Sequence, residues 1–372
     1  RISLMRRYLP RSTEELLHWY ERYISPLSLI AGFLADNFYL LRRVDLLRSN
    51  LLLFSYLTIA AVGIVLINMI EAGKLRGKFF LKAAPFIPVV MQFCFGGLFS
   101  GYLSLYSRSA SVAVSWIFVI VLAAFLLGNE RFTRLYARFP FQIGLYFLVL
   151  FSFLEFFLPV VFHRIGPWVF IGSGLLSLAL IALFIYGMSK LVPEIFRADG
   201  KRTIIAVGII FVVFNILYFT NAIPPLPLAL KEGQVYHSVV RLPDGTYQLL
   251  GEPIPWYEKY LNYASTFHLA PGEPVFVWSA IFAPSGLSTE ILHQWQFYDT
   301  VQKRWTTTNT VSFPISGGRD GGYRGYSEKI DPAVGSWRVN VITQYGQLIG
   351  RISFTVVEAS STVPLVQSTE VP

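Results

Sequence analysis

Cysteine is almost missing from this chain: among 372 residues there is only Cys94, set inside an apolar run. An intramolecular disulfide and a cysteine-based metal site are therefore both excluded. Charge is scarce too, at 14% of residues against the roughly 25% of an ordinary globular domain, while 54% are hydrophobic. Water cannot be the only solvent for such a composition. Catalytic signatures are lacking as well, since no Gly-x-Ser-x-Gly elbow, HExxH pair or Walker sequence occurs. His237, His268 and His293 show no metal-ligand spacing with a second histidine or an acid. The sequence leans away from an enzyme, with no recognisable catalytic motif, and points to no metal or cofactor.

What is present is apolar sequence in blocks. Seven segments stand out, about 24–41, 51–70, 83–106, 110–128, 141–162, 167–188 and 203–220. Each approaches the roughly 18 or more apolar residues that cross a hydrocarbon core as a helix. The expectation is an α-helical polytopic membrane bundle of about seven spans over residues 1–222. The first segment is the weakest, because it holds Asp36 and Asn37.

The formal charge of +9 does not point to nucleic acid. Residues 1–222 carry 21 Lys+Arg and 10 Asp+Glu, whereas residues 223–372 carry 10 and 12. The excess is juxtamembrane, where it sets topology. With seven spans, the N-terminal stretch and the loops after the second, fourth and sixth hold 16 Lys+Arg, and the opposite loops hold 5. That asymmetry predicts a cytoplasmic N-terminus and a C-terminal part on the outer face, which in a bacterium is the periplasm. The polar, basic first residues do not read as a cleavable signal peptide.

After the last span, Asn221-Ala-Ile-Pro-Pro-Leu-Pro227 cannot continue a helix, and residues 223–234 read as a proline-rich linker. From 235 to 357 the period becomes two. Strand-like runs appear at 235–242, 275–282, 292–298, 310–315, 337–343 and 350–357, with turn signals at Pro243-Asp-Gly245 and Tyr345-Gly-Gln347. An all-β immunoglobulin-like sandwich is expected. Residues 252–267, with Trp256, Tyr257, Tyr260 and Tyr263, read as a short amphipathic helix or irregular arm, and 358–372 as a disordered tail.

Two groups of residues are candidates for chemistry. Within the membrane half, Glu155 and Asp36 are acids among apolar residues, and His163 lies in the outer loop after the fifth span. Such acids either serve a proton or ligand site or lock helices together through a hydrogen-bonded carboxyl. In the β half, Ser316-Gly-Gly-Arg-Asp-Gly-Gly-Tyr-Arg-Gly-Tyr-Ser-Glu-Lys329 sets Arg319, Asp320, Tyr323, Arg324 and Tyr326 among glycines. It reads either as a binding loop whose arginines clamp a carboxylate or phosphate, or as a hairpin connection. Gly97 and Gly101, beside Gly96, have the small-xxx-small spacing of close helix packing.

The run Ala283-Pro-Ser-Gly-Leu287 to Ile291-Leu-His-Gln-Trp295, then Tyr323-Arg-Gly-Tyr-Ser-Glu-Lys329, Gly335-Ser-Trp-Arg-Val-Asn-Val341, Gly346-Gln-Leu-Ile-Gly350 and Phe354-Thr-Val356 resembles the DUF2914 domain. The membrane half is similar in architecture to the DUF5924 region. The resemblance implies a β domain attached to bacterial envelope proteins, and it implies no activity or catalytic residue.

The function expected is that of a bacterial inner-membrane protein presenting a periplasmic β-sandwich for binding or assembly. Its partners are membrane lipid and an envelope protein or glycan, not nucleic acid. The alternative is a transporter or intramembrane enzyme in which Glu155, Asp36 and His163 act on a lipid-linked or small substrate.

Overall fold

A computed structural model describes residues 46–109, 112–128, 135–136, 138–225, 227–253, 265–270, 272–319, 321–359 and 363–370. The chain divides into two compact units. One takes most of the long helices; the other takes the turn Leu158–Ile171 and everything from Leu217 onward.

The helical elements are α1 (Leu47–Glu71), α2 (Lys78–Ala83), α3 (Ile87–Ser109), α4 (Val112–Gly128), α5 (Phe139–Phe162), α6 (Pro167–Leu191) and α7 (Pro193–Phe219). A 3-10 turn, Ala84–Phe86, joins α2 to α3, so Lys78–Tyr106 is one apolar span. Five helices are long and apolar enough to cross a membrane; α4 has 17 residues and falls just short. Six of the seven expected segments are thus helices, and 24–41, with Asp36, lies outside the described residues.

α5 is the central helix of its unit. Of its apolar window 67% is buried inside the protein, against 22–28% for the other four spans. Those four turn apolar faces outward, as with Leu51, Phe54, Ile59 and Val62 of α1 or Ile205, Ile209, Val212 and Ile216 of α7. An outward apolar face of this extent suits lipid rather than water. Pro167 and Pro193 are the first residues of α6 and α7, where their missing N–H is harmless.

The strands are β1 (Ala229–Tyr236), β2 (Ser238–Arg241), β3 (Tyr247–Gly251), β4 (Ser265–Leu269), β5 (Pro274–Phe282), β6 (Ser288–Asp299), β7 (Arg304–Ser316), β8 (Tyr323–Ile330), β9 (Gly335–Thr343), β10 (Leu348–Glu358) and β11 (Val366–Glu370). They form a five-stranded sheet, β4-β10-β9-β6-β7, and two three-stranded sheets, β1-β5-β8 and β11-β3-β2. The main core draws Ile291, Trp295, Trp337, Val339 and Phe354 from the first sheet and Val235, Val275, Val277 and Ile281 from the second. Alternate residues of β5, Trp278 and Ala280, pack with Val239, Tyr247 and Leu249 of the third sheet. The β1-β5-β8 sheet is therefore covered on both faces. Val-Phe-Val-Trp-Ser-Ala-Ile-Phe282 accordingly reads as a continuous apolar run rather than an alternating one.

Three expectations are corrected. Residues 229–234, expected as linker, are strand β1, and Ile223, Leu228 and Ala229 are buried, because this stretch has enough apolar side chains to join a core. The expected disordered tail contains β11, which pairs antiparallel with β3 over Val366–Glu370. The second half of the glycine-rich loop is strand β8, paired with β5 from Pro274↔Ile330 to Ile281↔Tyr323. The segment 252–267 lies mostly outside the described residues, with β4 beginning at Ser265.

Candidate functional site

Glu155 is fully enclosed, and Tyr106 on α3 donates a hydrogen bond of 2.7 Å to its Oε2. The ring of Tyr106 meets Phe156 edge-on at 4.7 Å, and Tyr102, whose hydroxyl donates to the Val149 carbonyl at 2.7 Å, stacks on the same phenylalanine. Pro159 lacks the N–H that would have bonded the Glu155 carbonyl, which loosens the helix one turn beyond the acid. The arrangement ties α5 to α3. A second interhelical tie, in which Asn68 donates to Gln142 at 2.6 Å and Gln142 to the Tyr136 carbonyl at 2.6 Å, includes Gln142, which sequence reasoning missed. The small-residue spacing also serves packing, because the ring of Tyr56 on α1 lies where a Cβ at Gly97 would stand.

His163 ends α5 in a left-handed conformation with φ 52°, and the Arg164 N–H bonds the Pro159 carbonyl at 3.3 Å. This is the hydrogen-bond pattern of a helix closed by a left-handed cap. The turn is seated on the β strands' own connections. The imidazole lies against Gly286, whose φ of +79° and close contact exclude a side chain, Gly166 packs under the Tyr345 ring, and Ile165 enters the main core. His163 is thus an anchoring residue of the turn.

The four described loop residues do not converge. Asp320 lies outside the described residues. The Arg319 guanidinium sits 5.5 Å from the Tyr323 ring centre, on the side of β8 that faces the main core. Arg324 and Tyr326 point to the opposite side. There Arg324 meets Glu370 of β11 at 3.4 Å with only 11% of its side chain exposed, and Tyr326 packs with Tyr247 and Phe276. The loop's glycines admit backbone rather than ligand: Gly317 bonds the Leu287 carbonyl, and a Cβ there would collide with the Pro284 carbonyl.

Two polar clusters were not legible from spacing. His293 is sealed in the main core, its Nε2 2.8 Å from Ser279 Oγ on β5 and its Nδ1 2.8 Å from Ser327 Oγ on β8. Trp295 Nε1 also donates to Ser327, at 3.0 Å. A neutral imidazole donates at one nitrogen and accepts at the other, so the two hydroxyls satisfy it and staple β6 to the neighbouring sheet. Burial holds the His293 pKa down to about 3. All the hydroxyls concerned are buried, so this serine–histidine set faces no substrate.

The second cluster joins Glu252 to two histidines. Its Oε1 accepts from the His268 backbone N–H at 2.6 Å and lies 3.4 Å from His237 Nε2, while Oε2 lies 2.9 Å from His268 Nδ1. Glu273 Oε2 stands 4.0 Å from His237 Nδ1. Among the described residues no three histidine, cysteine or carboxylate side chains are arranged to hold a metal.

The family comparison reaches only the β strands. Residues 288–356 match the family described as protein of unknown function DUF2914. The match runs from the start of β6 into β10, and so takes in His293 of β6 and Ser327 of β8. A search among curated proteins finds no match. Among solved structures, the alkylpurine DNA glycosylase AlkC of Pseudomonas fluorescens, bound to DNA containing an abasic site analog, aligns at 10% identity. It covers 82% of this chain and 97% of that one, with a TM-score of 0.22, too low to carry a likeness of fold or function.

Proposed function

We propose that the protein is a bacterial inner-membrane protein that holds an immunoglobulin-like β-sandwich domain in the periplasm as a binding or assembly module for an envelope component. The observation that carries this reading is the joining of helices long and apolar enough to cross a membrane to a β domain with its own closed core. Orientation rests on the excess of Lys and Arg in alternate loops, with about seven spans and a cytoplasmic N-terminus. The likeness of the helical half to the DUF5924 region belongs with the same reading. Transport or intramembrane catalysis has less support, because the Glu155 carboxyl is already engaged by Tyr106 among aromatic rings.

Reporter fusions test the topology. Alkaline phosphatase joined after Glu370 is expected to be active and green fluorescent protein at the same point dark. The opposite pair of results would place the domain in the cytoplasm and overturn the reading.

A further inference from the structure

The outward positions of the five-stranded sheet carry a connected set of polar side chains. On β10, Arg351 Nε donates to Asn340 Oδ1 of β9 at 2.7 Å. Asn340 Nδ2 donates to Gln294 and to Gln296 Oε1 on β6, each at 3.1 Å, and Arg338 Nε donates to the same Gln296 oxygen at 2.7 Å. The Arg338 guanidinium lies 4.3 Å from the centre of the Trp305 ring. Strand register explains the set, because Gln294, Asn340 and Arg351 form one cross-strand row and Gln296 and Arg338 belong to the next.

This network orients two cations without neutralising either. Among the described residues no carboxylate pairs with Arg338 or Arg351, and each guanidinium uses only its Nε on a protein group. The terminal nitrogens, the pair that grips an oxyanion bidentately, remain available. Both side chains are half-buried. Burial first, and the neighbouring Arg351 charge second, draws Arg338 down to about 10, and burial also lowers Arg351. At neutral pH both are still cations. Two like charges held together by amides in partial desolvation are unfavourable until an anion joins them.

We propose that Arg338 and Arg351, with Asn340, Gln296, Gln294 and Trp305, form a binding site for the carboxylate groups of an acidic saccharide. This rests on the binding-module reading and names its ligand class. The charge selects an anion; the Gln296 amide is spent on Gln294, Thr307, Asn340 and Arg338 and the Asn340 amide on Gln294, Gln296 and Arg351, which leaves Gln294 Nε2 as the amide donor for a hydroxyl that flanks a sugar carboxylate. A phosphate, free or on a lipid headgroup, shares the oxyanion chemistry and is the competing ligand.

The test uses the full chain in zwitterionic lipid nanodiscs and isothermal titration calorimetry. The probes are a short oligogalacturonate, its methyl-esterified counterpart and inorganic phosphate, with a further arm in nanodiscs containing phosphatidylglycerol. Oligogalacturonate is expected to bind, and methyl esterification to weaken it about tenfold or more, the scale of one lost charge-assisted contact. The pair Arg338→Gln and Arg351→Gln is expected to do the same, and the pair Arg338→Lys and Arg351→Lys to fall between, since lysine keeps the charge without the planar fork. An unchanged near-ultraviolet dichroism spectrum shows that a variant is folded. If the glutamine pair is not, the lysine pair and the esterified sugar decide the question. Binding that ignores esterification or the arginine changes overturns the site, as does no oligogalacturonate binding at all. Phosphate or anionic lipid binding as well as or better than the sugar overturns the saccharide class. A cytoplasmic reporter result with intact sugar binding refutes the periplasmic reading alone, whereas absent binding with a periplasmic C-terminus refutes this site alone.

Discussion

The buried His293 makes acid the sharpest probe of the β domain. Its pKa is about 3 in the folded protein because burial disfavours the imidazolium, whereas an exposed histidine titrates near 6.5. Below pH 6.5 the unfolded chain therefore takes up a proton that the folded chain refuses, and stability from this group falls at about 1.4 kcal/mol per pH unit until pH 3. Above pH 6.5 its contribution is complete and level. Between pH 7 and pH 5 the loss is about 2 kcal/mol, which for a domain of this size lowers the melting temperature by roughly 5–10 °C.

His293→Gln isolates the group, because a side-chain amide also donates and accepts between Ser279 and Ser327 but does not titrate. The assay is thermal unfolding of the full chain in mild detergent, followed by near-ultraviolet dichroism from the buried tryptophans at several pH values. Wild type is expected to lose stability across pH 7 to 5 more steeply than the variant by about the 2 kcal/mol above, while at pH 7 the variant is weaker by about 1–2 kcal/mol from imperfect bonding geometry. All other titratable groups are common to both proteins and cancel in the comparison. Equal pH dependence in the two proteins would show that His293 is not sealed as described.

Three further outcomes follow from the packing. Ile165→Ala should destabilise the β domain by about 2–4 kcal/mol in the same melting assay, because the residue fills the main core from the α5–α6 turn; a loss under about 0.5 kcal/mol, the scale of a surface change, would mean the turn only touches the domain. Arg324→Ala should cost about 1–2 kcal/mol and loosen β11, read as faster amide exchange over Val366–Glu370, whereas Arg319→Ala should stay within about 0.5 kcal/mol; the reverse order would contradict their placement on opposite sides of β8. Glu155→Gln, which keeps an acceptor for Tyr106, should unfold in bicelles much like wild type, and Glu155→Leu should lose about 1 kcal/mol; equal losses in the two would remove the hydrogen bond from the account.

The membrane helices were legible because their signal is local. An apolar run needs no partner to be recognised, and the helices at 51–70, 141–162 and 167–188 extend the expected bounds by only a few residues. The β half was legible where a strand has one buried face or two, as in β5, β6 and β9. β8 was hidden because Gly325, pressed against the Phe313 ring, and Ser327, bonded to His293, occupy inward positions that alternation reserves for apolar side chains. β11 was hidden for a related reason: Val366-Gln-Ser-Thr-Glu370 is polar and mostly exposed, and its order comes from β3 and from Arg324, both remote in sequence.

The same remoteness governs the candidate site. Arg319, Asp320, Tyr323, Arg324 and Tyr326 are neighbours along the chain, yet on a strand neighbours face opposite ways, and β8 sends Tyr323 to one side and Arg324 to the other. The residues that do meet follow the opposite rule. Gln294 and Gln296 are two apart, as are Arg338 and Asn340, so each pair shares the outward side of its strand, and the sequence carries that alternation plainly. What it does not carry is register: only the pairing of Gln294 with Asn340 and of Asn340 with Arg351 brings two arginines from separate strands onto one connected set of amides, Arg351 on Asn340 and Arg338 on Gln296. A slip of one residue would turn Trp337 and Val339 outward and bury the arginines in their place. The main core that Trp337, Val339 and Phe354 build is therefore also what holds Arg338 and Arg351 side by side, so core packing and anion recognition rest on one register.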